Sequence, residues 1–361
     1  MNGHLQTGGR RRAWLEYPYS SCKSICSSDL WAVCACLVAC GFLFGWVPFL
    51  PWSASIAHAK ETVLNPDSVP SISSLWNWSD IAASEQNFRK EAARAESKGD
   101  IARALALETQ VARTLGLQRK FEAAHAILDE VETKLVPGIS SASTTASEVE
   151  VRLRLERGRV WNSSGKPEAA RGPFADAFEI AVSEKLEYLA IDAAHMMAIV
   201  ESGDAARVWF ERGVEMAESS LDPEARSWLG PLYNNYGWTL HDQGHFEDAL
   251  AVFQKGLAWR QENSGPKQIR IAKYTVARAL RSLERCPEAL MVLHEVASEL
   301  EAAGEDDGYV EEELGECLLA TGQKTEAATH FQKAYDLLSQ DPWMKQNEAE
   351  RLGRMETLAK P

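Results

Sequence analysis

The chain is dominated by apolar residues at helical spacing, and the pattern is clearest in Tyr233–Gly256. Large apolar and small residues recur there three or four positions apart, stop at Gly244, and then recur with the same spacing. This pattern predicts two helices joined by a turn, with Gly244 in the left-handed conformation that ends a helix. Gly237 and Ala249 are small enough for the two helices to approach to roughly 8–10 Å. The stretch therefore predicts an antiparallel helical hairpin.

Five further stretches repeat the pattern. Each has a small residue in its first helix, which we call the crossing residue, facing an alanine in its second helix. The pairs are Ala112 with Ala124, Gly158 with Ala170, Ala194 with Ala206, Ala277 with Ala289, and Gly315 with Ala327. With Ala249 included, the second-helix alanines recur at intervals of 46, 36, 43, 40 and 38 residues. The chain is therefore predicted to repeat one hairpin six times.

Helix boundaries are also predicted outside the best-matched hairpin. The early helices are expected at Glu85–Ser97, Ile101–Leu117 and Phe121–Leu135, and a polar helix that caps the array is expected at Met344–Leu358. Pro137–Ser147 is rich in Ser and Thr and predicts a loop that interrupts the array.

Large apolar residues at the hairpin ends, with Gly or Ala where the helices cross, resemble the tetratricopeptide repeat. The intervals exceed the usual 34 residues and are similar to the longer repeats of kinesin light chains. The resemblance implies an all-α, right-handed superhelical solenoid over residues 83–340, in which the first helix of each hairpin lines a concave groove.

The region before the solenoid has a different character. Leu30–Trp52 contains no charged residue, and about 20 apolar residues suffice to cross a bilayer as a helix. The expected segments are a polar basic N-terminus at 1–30, a signal or transmembrane segment at 31–52, a linker at 53–82, the repeats at 83–340, and a capping helix and C-terminus at 341–361.

Three alternatives for the apolar segment stay open. Ala57–Ala59 has the small-residue spacing of a signal-peptidase site, so the segment is either a cleaved signal or a permanent anchor. The third alternative is an over-extended start that leaves the protein in the cytoplasm. The basic residues at Arg10–Arg12 precede the apolar segment, which favours a repeat domain on the non-cytoplasmic side.

The net charge of −14 argues against nucleic-acid binding, because a phosphate backbone requires concentrated Lys and Arg. The sequence contains no HExxH, P-loop, GxGxxG or GxSxG motif. Cys286 and Cys317 are expected to be buried small residues, and no cofactor, metal or catalytic residue is predicted. The acidic run Glu311–Glu313 is interpreted as a solvated helix start.

Positions one turn either side of each crossing residue should face the groove. The candidate partner-binding residues are Arg159, Asn162, His195, Asn234, Trp238, His241, Tyr274, Arg278, Arg281 and Glu312. The arginines suggest an acidic peptide, because a guanidinium holds a carboxylate through two parallel bonds. The competing interpretation is that they pair with neighbouring glutamates. Trp238 lies one position after Gly237, which predicts an indole turned away from the hairpin interface.

These observations predict a non-catalytic scaffold that binds a protein or peptide segment in its groove and is membrane-tethered or exported. The alternative is an intracellular regulatory sensor of a small peptide or metabolite with the same architecture.

Overall fold

The computed structural model describes residues 69–135 and 144–360. Residues 75–361 form one compact unit, to which the following description applies. The α-helices of the described residues are α1 Ile81–Ser97, α2 Ile101–Leu117, α3 Phe121–Lys134, α4 Ala146–Ser163, α5 Pro167–Ser183, α6 Glu187–Val200, α7 Asp204–Ser219, α8 Pro223–Arg226, α9 Leu229–Asp242, α10 Phe246–Asn263, α11 Pro266–Ser282, α12 Cys286–Ala303, α13 Gly308–Ala320, α14 Lys324–Leu338, α15 Pro342–Asn347 and α16 Ala349–Leu358.

The early helices follow the apolar pattern closely. Helix α2 has the predicted bounds, and α3 ends one residue before the predicted Leu135. Helix α1 begins at Ile81 rather than Glu85, because the Asp80 side chain accepts a hydrogen bond of 2.9 Å from the Ala83 N–H. Such a side-chain cap satisfies a backbone donor that the first helical turn leaves free.

The six predicted hairpins form in the order α2–α3, α4–α5, α6–α7, α9–α10, α11–α12 and α13–α14. Each turns on one residue with positive φ. Gly244 has φ +82°, as predicted, and glycines occupy the same place in three other hairpins. In α2–α3 and α11–α12 the turn residue with positive φ is Arg119 (φ 62°) and Glu284 (φ 60°), respectively. A side chain at positive φ costs conformational energy that glycine avoids.

The crossing residues have a more specific role than helix approach. A Cβ atom at Gly237 would lie 2.3 Å from Cε1 of Phe253, which is one turn after Ala249. Likewise, a Cβ atom at Gly158 would lie 2.4 Å from Cε1 of Phe174. In these hairpins the missing side chain therefore makes room for an aromatic ring. In α2–α3 and α11–α12 the same position holds the buried Leu128 and Leu293.

Two further boundaries differ from prediction. The polar helix expected at Met344–Leu358 is two helices, α15 and α16, because the backbone leaves the helical region at Glu348 with φ −128°. Met344, Leu352 and Met355 still bury their side chains in one cluster with apolar residues of α14. The loop predicted at Pro137–Ser147 lies largely outside the described residues. Helix α4 begins at Ala146, before the predicted end of that loop, and the Thr145 side chain caps it by accepting a hydrogen bond from the Glu148 N–H.

Within residues 69–135 and 144–360, no helix is long and apolar enough to cross a membrane. The predicted signal or transmembrane segment at 31–52 lies outside the described residues, as does most of the linker at 53–82.

Candidate partner-binding face

The first helices of successive hairpins contact one another through a repeated polar pair. The residue directly after one crossing residue meets the residue two positions before the next crossing residue. The pairs are Arg113 with Glu156, Arg159 with Asp192, His195 with Asn235, and Arg278 with Glu313. We call the surface that carries Arg113, Arg159, His195, Trp238, Arg278 and Glu316 the first-helix face. Arg159, His195, Trp238 and Arg278 are among the positions predicted to face a groove. The four pairs join each hairpin to the next except α9–α10 to α11–α12.

Arg159 is held by two carboxylates. It lies 2.6 Å from Glu156 and also bonds Asp192 in the next hairpin, and its side chain is 12% exposed. Burial alone would lower the pKa of Arg159, but Asp192 and Glu156 outweigh burial and hold that pKa above its ordinary value. The arginine is thus neutralised within the chain.

Arg278 and Arg281 share one carboxylate. Glu313 is 1% exposed, and its Oε1 accepts from Arg278 Nε at 3.1 Å and from Arg281 Nη2 at 2.9 Å. Its Oε2 accepts a hydrogen bond from Arg281 Nε. Arg278 also donates a 2.9 Å hydrogen bond to Ser282 Oγ, which lies 2.8 Å from His241 Nε2. The competing interpretation of the sequence is therefore the one the structure supports: all three predicted arginines are paired internally. Their role in partner binding stays a prediction.

The interpretation of Glu311–Glu313 as a solvated helix start is wrong. All three side chains are buried, at 7%, 6% and 1% exposure. Each is neutralised by a different helix: Glu311 by α14 through Lys333 at 2.9 Å, Glu312 by α16 through Arg351 at 2.7 Å, and Glu313 by α11. Buried carboxylates need such partners because the interior does not solvate charge. Glu312, predicted to bind a partner, thus joins the capping helix to the last hairpin.

The predicted orientation of Trp238 is also wrong. Its side chain is 6% exposed, and its ring makes edge contacts with Phe253 and His241, both at 5.3 Å between ring centroids. The reason is that the ring of Phe253 fills the space next to Gly237, where it also contacts the ring of Trp238. Trp238 therefore contributes to the hairpin core as well as to the first-helix face.

The remaining predicted residues range from buried to half-buried. Nε2 of His195 accepts a 2.8 Å hydrogen bond from Nδ2 of Asn235, and burial lowers the pKa of His195 to about 4. Tyr274 is buried, and burial raises the pKa of its hydroxyl. Asn162 and Asn234 are half-buried, and Asn234 donates a 3.0 Å hydrogen bond to Asn235. The two half-buried asparagines keep part of their surface accessible.

Two recesses lie between helices of neighbouring hairpins, and the larger adjoins the first-helix face at Glu316. The larger has a volume of about 580 Å³ and lies between the α11–α12 turn and the end of α13. Its lining includes Arg281, Glu284, Glu316 and Thr321. The smaller, about 10 Å³, lies where α9, α10 and α11 meet. The sequence pattern predicted neither recess, because each joins residues from different hairpins.

The smaller recess contains a residue that the sequence interpretation missed. Arg260, in the last turn of α10, places its guanidinium so close to Gly230 that a Cβ there would lie 2.9 Å from Arg260 Cζ. No carboxylate of the described residues pairs with it, and burial lowers its pKa. In sequence, a basic residue in a last helical turn is typical of interaction with the helix dipole.

Two cysteines, Cys286 and Cys317, lie in the part of the chain that the structure describes. Cys286 and Cys317 are buried free thiols, as predicted, and burial raises the pKa of Cys317. In the part of the chain that the structure describes, no group of three or more His, Cys, Asp or Glu side chains is arranged to hold a metal ion.

We compared the chain with protein families and with solved structures. Residues 230–263, which include the best-patterned hairpin, match the family model of the tetratricopeptide repeat. The chain is similar to the apo form of RapI, with a TM-score of 0.57 and 12% identity over 75% of this chain and 74% of that one.

It is also similar to PH0952 from Pyrococcus horikoshii, described as a signal transduction ATPase with a tetratricopeptide repeat sensor. That match has a TM-score of 0.53 and 15% identity over 78% of this chain and 45% of that one. The TPR-like repeats of a Podosopora anserina kinesin light chain align with a TM-score of 0.45 and 14% identity over 60% of this chain and 99% of that one. A comparison with curated protein sequences finds no significant match.

The fold is thus an all-helical solenoid of repeated hairpins. Residues 230–263 match the tetratricopeptide-repeat model, as the pattern of that hairpin predicted, and the structures that the chain resembles include TPR-like repeats.

Proposed function

We propose that this protein is an interaction scaffold that binds an extended segment of a partner protein along its first-helix face. The larger recess is the observation that carries the proposal. It is an open recess of about 580 Å³ on this face, and Arg281 and Glu316 lie at its wall.

The inter-hairpin pairs suit such a role. Because Arg159, Arg278 and Arg281 are held by carboxylates of the next hairpin, the face is ordered before a partner arrives. A surface that is already ordered loses little side-chain freedom on binding, and this loss is a main cost of association. Tetratricopeptide solenoids present such extended surfaces through the stacking of their repeats.

Site-specific photo-cross-linking tests the proposal. A photoreactive residue replaces Thr321, which is exposed and lines the larger recess, in the full-length chain expressed in its native cells. Thr329 on α14 is the matched control, since it is also an exposed threonine but lies outside the recess. We expect a discrete cross-linked partner from position 321 and none from position 329. Equal cross-linking at both positions, or cross-linking at position 329 alone, would contradict the proposal.

A second candidate is a regulatory sensor of a small peptide or metabolite. The larger recess is open to solvent and is lined by both Arg281 and Glu316, and the PH0952 protein is described as carrying a tetratricopeptide repeat sensor. A sensor must change its shape on binding, because a ligand acts only through its different affinity for two states. Small-angle X-ray scattering distinguishes the candidates: a ligand-dependent change in radius of gyration favours the sensor.

Membrane tethering or export remains part of the proposal on the basis of the apolar sequence at 31–52.

A further inference from the structure

Two cysteine thiols meet between the last two hairpins. Cys286 is the first residue of α12, and Cys317 lies in the last turn of α13, which packs against α12. Burial raises the pKa of Cys317, and a side-chain hydrogen bond with Cys286 raises it further, so the two thiols are direct neighbours. A cysteine side chain is short, so thiols meet only where their backbones come close, as a disulfide also requires.

The two thiols differ in their access to solvent. Cys317 is fully buried, whereas Cys286 is 6% exposed and lies at the wall of the larger recess, which is open to solvent. Glu316 and Ala320 line the same recess, and they are the α13 residues one position before and three positions after Cys317. A small molecule in the recess therefore meets Cys286 first, with Cys317 next to it.

The start of α12 supplies positive charge beside Cys286. Cys286 lies in the first turn, where backbone N–H groups give a helix its positive end. Of the charged residues at the wall of the recess, Arg281 and Glu316 are each held by a partner of opposite charge, and Glu284 is exposed to solvent, which screens its charge. Since the thiolate is the form of cysteine that attacks an oxidant, this arrangement suits Cys286 to react first.

We propose that Cys286 and Cys317 form a covalent modification site, at which a hydroperoxide oxidises the two thiols to a disulfide. The bond would join the α11–α12 hairpin to the α13–α14 hairpin at the wall of the larger recess. The curvature of a solenoid depends on the small rotation between neighbouring repeats, so such a bridge fixes that rotation at this junction. The inference goes beyond the proposed function, because it requires contact between two helices and no partner.

The oxidation takes two steps. In the first, the Cys286 thiolate attacks one peroxide oxygen: the S–O bond forms, the O–O bond breaks, and the leaving oxygen takes up the proton that Cys286 lost, which gives a sulfenic acid and an alcohol or water. In the second, the sulfur of Cys317 attacks the sulfur of the sulfenic acid: the S–S bond forms, the S–O bond breaks, and the hydroxyl leaves with the Cys317 proton as water. The two thiols together lose two hydrogens and two electrons, and the peroxide is reduced by two electrons.

Mass spectrometry of the full-length chain tests the proposal. The chain is treated with hydrogen peroxide, the remaining thiols are alkylated, and the protein is digested with trypsin without reduction. No Lys or Arg lies between Cys286 and Lys324, so trypsin leaves both cysteines in one peptide, residues 286–324. We expect this peptide to be two hydrogens lighter than its reduced form, to carry no alkyl group, and to regain two alkylation sites after treatment with dithiothreitol.

Two variants separate the roles of the thiols. Cys317→Ser removes the second thiol, so the sulfenic acid at Cys286 should persist and be labelled by dimedone. Cys286→Ser removes the thiol at the recess, and Cys317 should then escape labelling under the same conditions, because it is fully buried. Circular dichroism melts check that both variants fold.

The melting temperature tests whether the thiols are already placed for a bridge. A disulfide that forms without moving the helices should raise the melting temperature of the wild-type chain by roughly 5 °C or more. The same peroxide treatment should give no such rise in Cys317→Ser, which cannot form the bridge.

Four results would overturn the inference. They are two free thiols in peptide 286–324 after peroxide, a gain of oxygen by that peptide in place of the bridge, a disulfide to a cysteine in residues 22–40, and a bridge that fails to raise the melting temperature. Each is measured on the wild-type chain, so the test still decides if a variant fails to fold.

Discussion

The Gly237→Ala substitution tests how the hairpins are packed. The new Cβ would lie 2.3, 2.5 and 2.9 Å from three ring atoms of Phe253, where ordinary contact begins at about 3.4 Å. The ring has little freedom to move, since Phe253 is 1% exposed and its edge meets Trp238. Overpacking of this kind costs about 1–3 kcal/mol.

The helix itself gains from the same change. Replacing Gly by Ala inside a helix stabilises it by about 0.8–1.0 kcal/mol. Gly353 in α16 supplies the matched control, because a Cβ there meets nothing within 4 Å. Gly353→Ala should therefore raise the free energy of unfolding, and the difference between the two variants, about 1–3 kcal/mol, isolates the clash with the ring.

A graded series strengthens the test. Gly158→Ala should resemble Gly237→Ala, since its Cβ would lie 2.4 Å from Phe174. Gly315→Ala should be milder, because its closest contact with Phe331 is 3.1 Å. Phe253→Leu added to Gly237→Ala should recover part of the loss by making room, which a double-mutant cycle measures as coupling.

Urea unfolding followed by circular dichroism measures these changes. Since solenoids can unfold in parts, hydrogen exchange should locate the loss of protection in α9 and α10. If Gly237→Ala stabilised the protein as much as Gly353→Ala does, the close packing of Phe253 on the crossing residue would be refuted.

Three further predictions concern charge and topology. Glu313→Ala leaves two partly exposed arginines without their shared carboxylate and should lower the free energy of unfolding by about 1–3 kcal/mol. The control, Glu247→Ala at an exposed position, should change it little. Equal effects of the two substitutions in urea titrations would exclude the shared pairing. Burial lowers the pKa of His195 to about 4, so the unfolded chain takes up a proton near pH 6.5 that the folded chain refuses until about pH 4. The contribution of His195 to stability is therefore complete above pH 6.5 and falls as the pH drops through this window, and His195→Gln should flatten the pH dependence of the melting temperature there; an unchanged slope would show that the side chain is not buried as described. If the apolar segment at 31–52 directs the repeats across a membrane, external protease should digest them in intact cells or spheroplasts, and digestion only after lysis would count against export.

The sequence by itself determined the helices and their pairing. Apolar residues at a spacing of three to four can bury one face only in a helix, and a small residue such as Gly237 opposite Ala249 marks where two helices cross. These signals are local, so they predicted all six hairpins and the bounds of α2 to the residue. The same register indicated which side of each first helix forms a continuous face.

Only the tertiary structure decided what the side chains on that face do. Arg159 and Asp192 are 33 residues apart, and Arg281 and Glu313 are 32 apart, so their pairing depends on how one hairpin stacks on the next. Local spacing contains no information about that stacking. A run such as Glu311–Glu313 therefore suggested solvent exposure, although three other helices cover and neutralise it.

The same reason explains Trp238 and Arg260. Trp238 was predicted to turn away from the hairpin interface, but its side chain is buried because the ring of Phe253 from the partner helix lies against it. Arg260 is distinctive only because three helices meet around it without supplying a carboxylate, and such a meeting exists only once the solenoid has folded. Helical periodicity fixes which residues share a face, whereas the electrostatic state of that face is a property of the packed repeats.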